Sequence, residues 1–114
     1  MSRVRVCDLD AVAPAAALRV QVNNAAGKQY SVCIARDSDG SWHALGDTCT
    51  HGNISLAEGE VYEGGIECWK HGSVFDLVTG HPRTLPATKP VPVYELQIDE
   101  SGVYVDVDKV LEDF

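Results

Sequence analysis

The sequence predicts an all-β protein. Three observations predict it: short segments alternate apolar and polar residues, turn-forming clusters divide them at short intervals, and no stretch sustains a helical period. Ser2–Cys7 sets Val4 and Val6 against Arg3 and Arg5, and Leu18–Val22 sets Leu18, Val20 and Val22 against Arg19 and Gln21. Tyr30, Val32 and Ile34 share one face of a strand over Gln29–Ala35, and the turn Asp37-Ser38-Asp39-Gly40 leads into Ser41–Leu45. Glu60–Tyr62 and Ile66–Cys68 flank Glu63-Gly64-Gly65, while Val93–Ile98 and Val103–Asp106 flank Asp99-Glu100-Ser101-Gly102. Two helical pieces are expected: one turn within Asp8–Ala17, broken by Pro14, and a short C-terminal helix over Asp106–Glu112. Periodicity alone gives a β-sandwich or a barrel.

A chain of 114 residues is expected to form a single domain, 1–114, with a modest core. It leaves no room for a separate catalytic domain, so the chain is expected not to be an enzyme by itself. Nine Lys and Arg face 17 Asp and Glu, a net charge of -8. That balance argues against nucleic acid and against anionic membrane surfaces as partners. From Glu95 onward the acidic residues Glu95, Asp99, Glu100, Asp106, Asp108, Glu112 and Asp113 are opposed by Lys109 alone. No apolar run approaches the roughly 20 residues that span a bilayer. The start, Met1-Ser2-Arg3-Val4-Arg5-Val6, lacks an apolar signal region and a twin-arginine pair, so a soluble, cytoplasmic protein is expected.

Two short patterns carry the chemistry. Cys49-Thr50-His51 and Cys68-Trp69-Lys70-His71 each offer one thiolate and one imidazole from a tight loop. Together they supply two sulfur and two nitrogen ligands. That set suits a 2Fe–2S cluster with cysteines on one iron and histidines on the other. It also suits a tetrahedral zinc ion. The other two histidines, His43 and His81, lie outside both loops. The other two cysteines, Cys7 and Cys33, fall in expected strands and read as small buried hydrophobes with inert thiols.

The surroundings of the ligands separate the two metals. Cys49-Thr50-His51-Gly52 is followed by Cys68-Trp69-Lys70-His71-Gly72-Ser73-Val74-Phe75-Asp76-Leu77-Val78-Thr79-Gly80. A proline-rich segment comes next, Leu85-Pro86-Ala87-Thr88-Lys89-Pro90-Val91-Pro92. This arrangement resembles the Rieske 2Fe–2S ferredoxins, and Leu56-Ala57-Glu58-Gly59 and Glu67-Cys68 resemble the ferredoxin components of bacterial ring-hydroxylating dioxygenase systems. The resemblance runs from about Ser2 to Asp106.

The resemblance implies the Rieske fold: stacked antiparallel sheets with a cluster-binding subdomain of two loops, at about 46–55 and 68–76, covered by a proline loop at about 84–92. It implies one 2Fe–2S cluster, with Cys49 and Cys68 on the inner iron and His51 and His71 on the outer. Around it, Ser73 could donate to a bridging sulfide, Gly52 and Gly72 allow close approach or φ > 0, and Pro86 stiffens the covering loop. Membrane-complex Rieske proteins carry two more cysteines, at positions matching Ile54 and Lys70; that disulfide is absent here. High-potential members also place a tyrosine where this chain has Phe75. Both departures imply the lower part of the Rieske range of roughly −150 to +300 mV.

The function implied is that of a monomeric one-electron carrier. It would take electrons from a flavin-containing ferredoxin reductase and pass them to a terminal, aromatic-ring-hydroxylating oxygenase. The alternatives are an accessory or regulatory Rieske subunit of another redox complex, such as nitrite reductase, and a structural zinc module. Trp69, between two ligands, reads as a docking aromatic or a shield for the cluster.

Overall fold

A computed structural model describes residues 4–48, 54–69, 72–84 and 89–111. Nine strands are defined among them: β1 (Val4–Cys7), β2 (Ala16–Asn23), β3 (Gln29–Arg36), β4 (Trp42–Gly46), β5 (Glu60–Tyr62), β6 (Gly65–Glu67), β7 (Val74–Asp76), β8 (Val93–Asp99) and β9 (Gly102–Val110). They form two antiparallel sheets, one of six strands in the order β1-β9-β8-β4-β3-β2 and one of three in the order β5-β6-β7. The all-β expectation holds, and so does its arrangement in antiparallel sheets.

The centre of the large sheet is buried on both faces. Val32, Ile34 and Ala44 join Val22, Tyr94, Val103 and Val105 in one apolar cluster. Cys33, Ala35 and Leu45 point the other way, into a second cluster with Leu56, Ile66, Phe75 and Leu77. The run Val32–Ala35 is therefore unbroken in burial, where a one-sided strand would alternate. The small sheet and its turns cover the second face. Ile34 and Leu45 are fully buried, and each such side chain contributes about 1.5–3 kcal/mol.

Both helical expectations are overturned. Asp106–Val110 continues β9, with Leu96↔Val105 and Glu95↔Asp106 in register and Tyr94↔Val110 beyond a bulge. The reason is the β-branched alternation Val103, Val105, Val107, which buries one strand face and outweighs the acidic residues between. Asp8–Ala15 contains turns and bends but no helical turn. Ala15 sits at φ 63°, and its N–H donates to Arg36 O at 2.8 Å, which feeds the chain straight into β2. The short strand Val74–Asp76 and a 3-10 turn at Leu56–Glu58 go beyond what periodicity indicates.

Candidate cluster-binding site

The first ligand loop leaves β4 at Gly46. Its described ends are clamped: Thr48 and Ser55 form an antiparallel bridge across residues 49–54. Asp47, 2% exposed, sits at the base. Its carboxylate accepts from the Ser55 hydroxyl at 2.6 Å and from Ala57 N–H at 3.0 Å. Its carbonyl accepts from Leu56 N–H at 2.6 Å. Cys49, His51 and Gly52 themselves lie outside the described residues.

The second loop connects β6 to β7, whose last and first residues, Glu67 and Val74, are paired. Cys68 N–H donates to Ser73 O at 2.7 Å, and Gly72 N–H returns to Cys68 O at 2.9 Å. Gly72 stands at φ +76°, with no described atom within 4 Å of where a Cβ would be. The positive φ accounts for this glycine; close approach within the described chain does not. Ser73 is fully buried. His71 lies outside the described residues.

The approach to the proline loop is fastened to both. Arg83 N–H donates to Val74 O at 2.6 Å. The Thr84 hydroxyl accepts from Val74 N–H at 2.9 Å and donates to Gly72 O at 3.2 Å. Pro86 lies outside the described residues. Beyond it, Val91 N–H donates to Gly80 O and Gly46 N–H to Pro92 O, both at 2.9 Å, which returns the chain to the foot of the first loop.

Two contacts bring the 3-10 turn that follows the first loop against the second loop. The Trp69 indole N–H donates to the Glu58 carboxylate at 3.1 Å. Cys68, 1% exposed, packs in one apolar cluster with Leu56, and Ile54 and Ala57 lie against that cluster. The Cys68 thiol is in no disulfide. A buried free thiol beside a loop carrying another cysteine fits a thiolate-ligated metal group, and the two Cys-x(1–2)-His patterns complete a soft and imidazole donor set. The aromatic ring of Phe75 is fully buried in this same cluster, which explains an apolar residue there.

The Phe-Asp and Thr-Gly pairs turn out to build a turn. Asp76 Oδ1 accepts from Val78 N–H at 2.8 Å and Thr79 N–H at 3.0 Å, while Oδ2 pairs with Arg83 at 2.8 Å. Burial pushes the Asp76 carboxyl up, but Arg83 and the two N–H groups outweigh it and hold it below the usual carboxylate range. Gly80, at φ +77°, lies so close to Val91 O that a Cβ would overlap it.

Cys7 and Cys33 are buried and free. Burial pushes both thiols up, and for Cys33 the nearby Asp47 charge adds to the rise. His43 lies on β4 beside the Ser41 hydroxyl, 3.1 Å from Nε2. Burial lowers its pKa against the opposing pull of Asp37, Asp39 and Asp76. Trp69 is 54% exposed. Glu58 brings a carboxylate to that rim. Sequence reasoning missed Asp47 and Thr84. An Asp between a strand and a loop is a turn signal that could have pointed to the first; nothing in the sequence marks the second.

Known proteins share this arrangement. Residues 2–95 match the Rieske [2Fe-2S] domain family. Ferredoxin CarAc of Metapseudomonas resinovorans is 37% identical over 106 residues, covering 93% of this chain and 94% of that protein. The 3-phenylpropionate/cinnamic acid dioxygenase ferredoxin subunit of Shigella boydii serotype 4 (strain Sb227) is 31% identical over 108 residues, covering 94% and 95%. The solved complex of reduced oxygenase and oxidized ferredoxin in carbazole 1,9a-dioxygenase contains a chain with TM-score 0.81 and 34% identity, covering 97% of this chain and 98% of that one. Structures described as nitrite reductase small subunits share 15% and 23% identity at TM-score 0.74, a likeness of fold alone. This chain belongs to the Rieske [2Fe-2S] domain family.

Proposed function

We propose that this protein is a one-electron carrier that passes electrons from a flavin-containing reductase to a terminal, aromatic-ring-hydroxylating oxygenase. The carrying observation is that the 3-10 turn following the first motif lies against the second loop, through the Trp69–Glu58 hydrogen bond and the shared packing of Cys68 and Leu56. The names and high coverage of the ferredoxin relatives support the same reading. The whole chain, 1–114, is read as one Rieske domain, with loops at about 46–55, 68–76 and 84–92.

In this reading Cys49 and Cys68 hold one iron, and His51 and His71 hold the other. When bound, the cluster supplies a centre that gains and loses a single electron. The chain does the rest. The buried neighbours Leu56 and Phe75 keep water from the Cys68 sulfur. The Cys68–Gly72 and Cys68–Ser73 hydrogen bonds hold the second loop in one conformation. In this reading Ser73 donates toward the cluster, and Gly52, Gly72 and Pro86 shape the loops over it. No helix among the described residues is long and apolar enough to cross a membrane. We read the protein as monomeric and cytoplasmic, with no nucleic-acid partner.

The net charge of -8 suggests long-range steering toward basic partners, with Trp69 making the close contact. The test is reconstitution with a candidate reductase and oxygenase, scored by product formation, alongside absorption and electron paramagnetic resonance (EPR) spectra. A Rieske spectrum, transfer that slows as salt rises, and slower turnover in Trp69→Ala with an intact spectrum are expected. A colourless, zinc-containing protein would overturn the reading.

A further inference from the structure

Asp47 is a buried carboxylate at the one point where the chain turns from the large sheet into the first ligand loop. We propose that Asp47 is the positioning residue of that loop, its carboxylate fixing the chain on either side of residues 49–53 and setting the local charge. The proposal rests on the cluster reading above.

The geometry is specific. Oδ2 accepts from the Ser55 hydroxyl at 2.6 Å and lies 3.3 Å from Arg19 Nε. Oδ1 accepts from Ala57 N–H at 3.0 Å. The backbone N–H of Asp47 donates to Ser31 O at 3.1 Å, and its carbonyl accepts from Leu56 N–H. One residue thus joins β2, β3 and the returning limb of the loop. Burying a carboxylate is costly unless its oxygens are well paired. An amide in its place has one accepting oxygen, and its NH₂ would face donors.

Charge gives the carboxylate a second consequence. It is 2% exposed, whereas the Arg19 side chain is 54% exposed, so water screens the cation more than the anion. The field reaches inward, since the Asp47 charge adds to the rise of the Cys33 thiol beneath it. A negative charge two residues from Cys49 opposes the arrival of an electron. Its removal makes reduction easier.

The test uses the cluster-loaded protein. Asp47→Asn is expected to shift the EPR g-values, move the midpoint potential positive, and release iron to a chelator roughly tenfold faster. Val103→Ala, a cavity variant in the apolar cluster on the other face of the large sheet, is the control for simple destabilisation. It should lower Tm with the midpoint and g-values of the wild type. Asp47→Asn with the midpoint and g-values of Val103→Ala would overturn the proposal. If Asp47→Asn does not fold, Ser55→Ala decides, because it removes one donor and leaves the charge. Faster iron release with a more negative midpoint supports the proposal, and no change in either overturns it. A wild-type protein without a Rieske EPR spectrum would remove the cluster reading first, and the proposal with it.

Discussion

In the six-stranded sheet, β2 and β3 pair along their whole eight-residue lengths, from Ala16↔Arg36 to Asn23↔Gln29. No strand of the small sheet exceeds three residues. Backbone ladders and two-sided burial hold the first. The second depends on turns with special backbone angles and on side chains bonded to the main chain: Glu63 at φ 49°, Gly64 at φ 74°, Asp76 on Val78 and Thr79, and Arg83 on Glu63 O and Gly64 O. A scaffold can be long and redundant. A cap that carries two short loops must hold them in one relation, and single residues carry more of that burden.

The largest expected contrast is chemical. Cys68→Ser should abolish the Rieske absorbance and EPR signal, while Cys33→Ser, in the large sheet, should leave both intact. Bleaching by the Cys33 variant would mean that the ligand assignment is wrong. The next contrast compares two glycines at similar angles. Gly80→Ala adds overlap with Val91 O to the cost of φ +77°, whereas Gly27, at φ +86°, has open space around it. Urea unfolding should show a loss of about 1 kcal/mol for Gly27→Ala and at least about 3 kcal/mol for Gly80→Ala. Equal losses would show that the cap yields as readily as a surface hairpin.

A smaller effect comes from the Asp76 turn. Arg83→Ala should cost about 1 kcal/mol by removing hydrogen bonds to Asp76, Glu63 and Gly64. The folded Asp76 carboxyl titrates below its unfolded value, so its contribution is complete above the unfolded pKa of about 4 and is lost as pH falls through the folded one. Asp76→Asn should therefore flatten the acid loss of stability below about pH 4. An unchanged acid profile would assign that loss to other carboxylates. The smallest effect belongs to His43 in the large sheet. Its folded pKa is lowered by burial, so its contribution is complete above the unfolded value of about 6.5 and is lost as pH falls below it. His43→Gln should remove part of the decline in Tm between about pH 7 and pH 5, and a decline identical to wild type would rule His43 out as its source.

The same contrast explains what was legible before the fold was seen. The large sheet follows from alternation: Leu18, Val20 and Val22, then Val32 and Ile34, mark strands whose partners confirm each other in register. The motif residues Phe75, Asp76, Thr79 and Gly80 were visible as a pattern, but their work was not. Asp76 closes a turn, Phe75 fills the core, and Gly80 lets β7's exit pass under Val91. Val74–Asp76 is as short as Glu60–Tyr62 but has no Gly-Gly turn beside it to mark a hairpin, so it escaped period-2 reasoning. Asp47 was invisible for a different reason. Its donors lie on β2, in the returning limb of the loop and in the 3-10 turn, and only the folded chain assembles them. The expected C-terminal helix does not form because the alternation Val103, Val105, Val107 carries β9 on through the acidic residues.

The order of the large sheet has one more consequence. β1 and β2 are consecutive in the chain yet occupy opposite edges, and still lie against one another, as do β2 and β9. The sheet therefore curls until its margins nearly meet, and Val12, on the crossing segment between them, is 2% exposed. An open sheet presents unsatisfied amides and carbonyls along each margin, where other chains can add. Here the curl turns those margins toward each other. Concentrated solutions of the carrier should resist end-on stacking as long as the crossing segment around Val12 stays seated, and a cut in that segment should be felt first as clumping, before any change in colour.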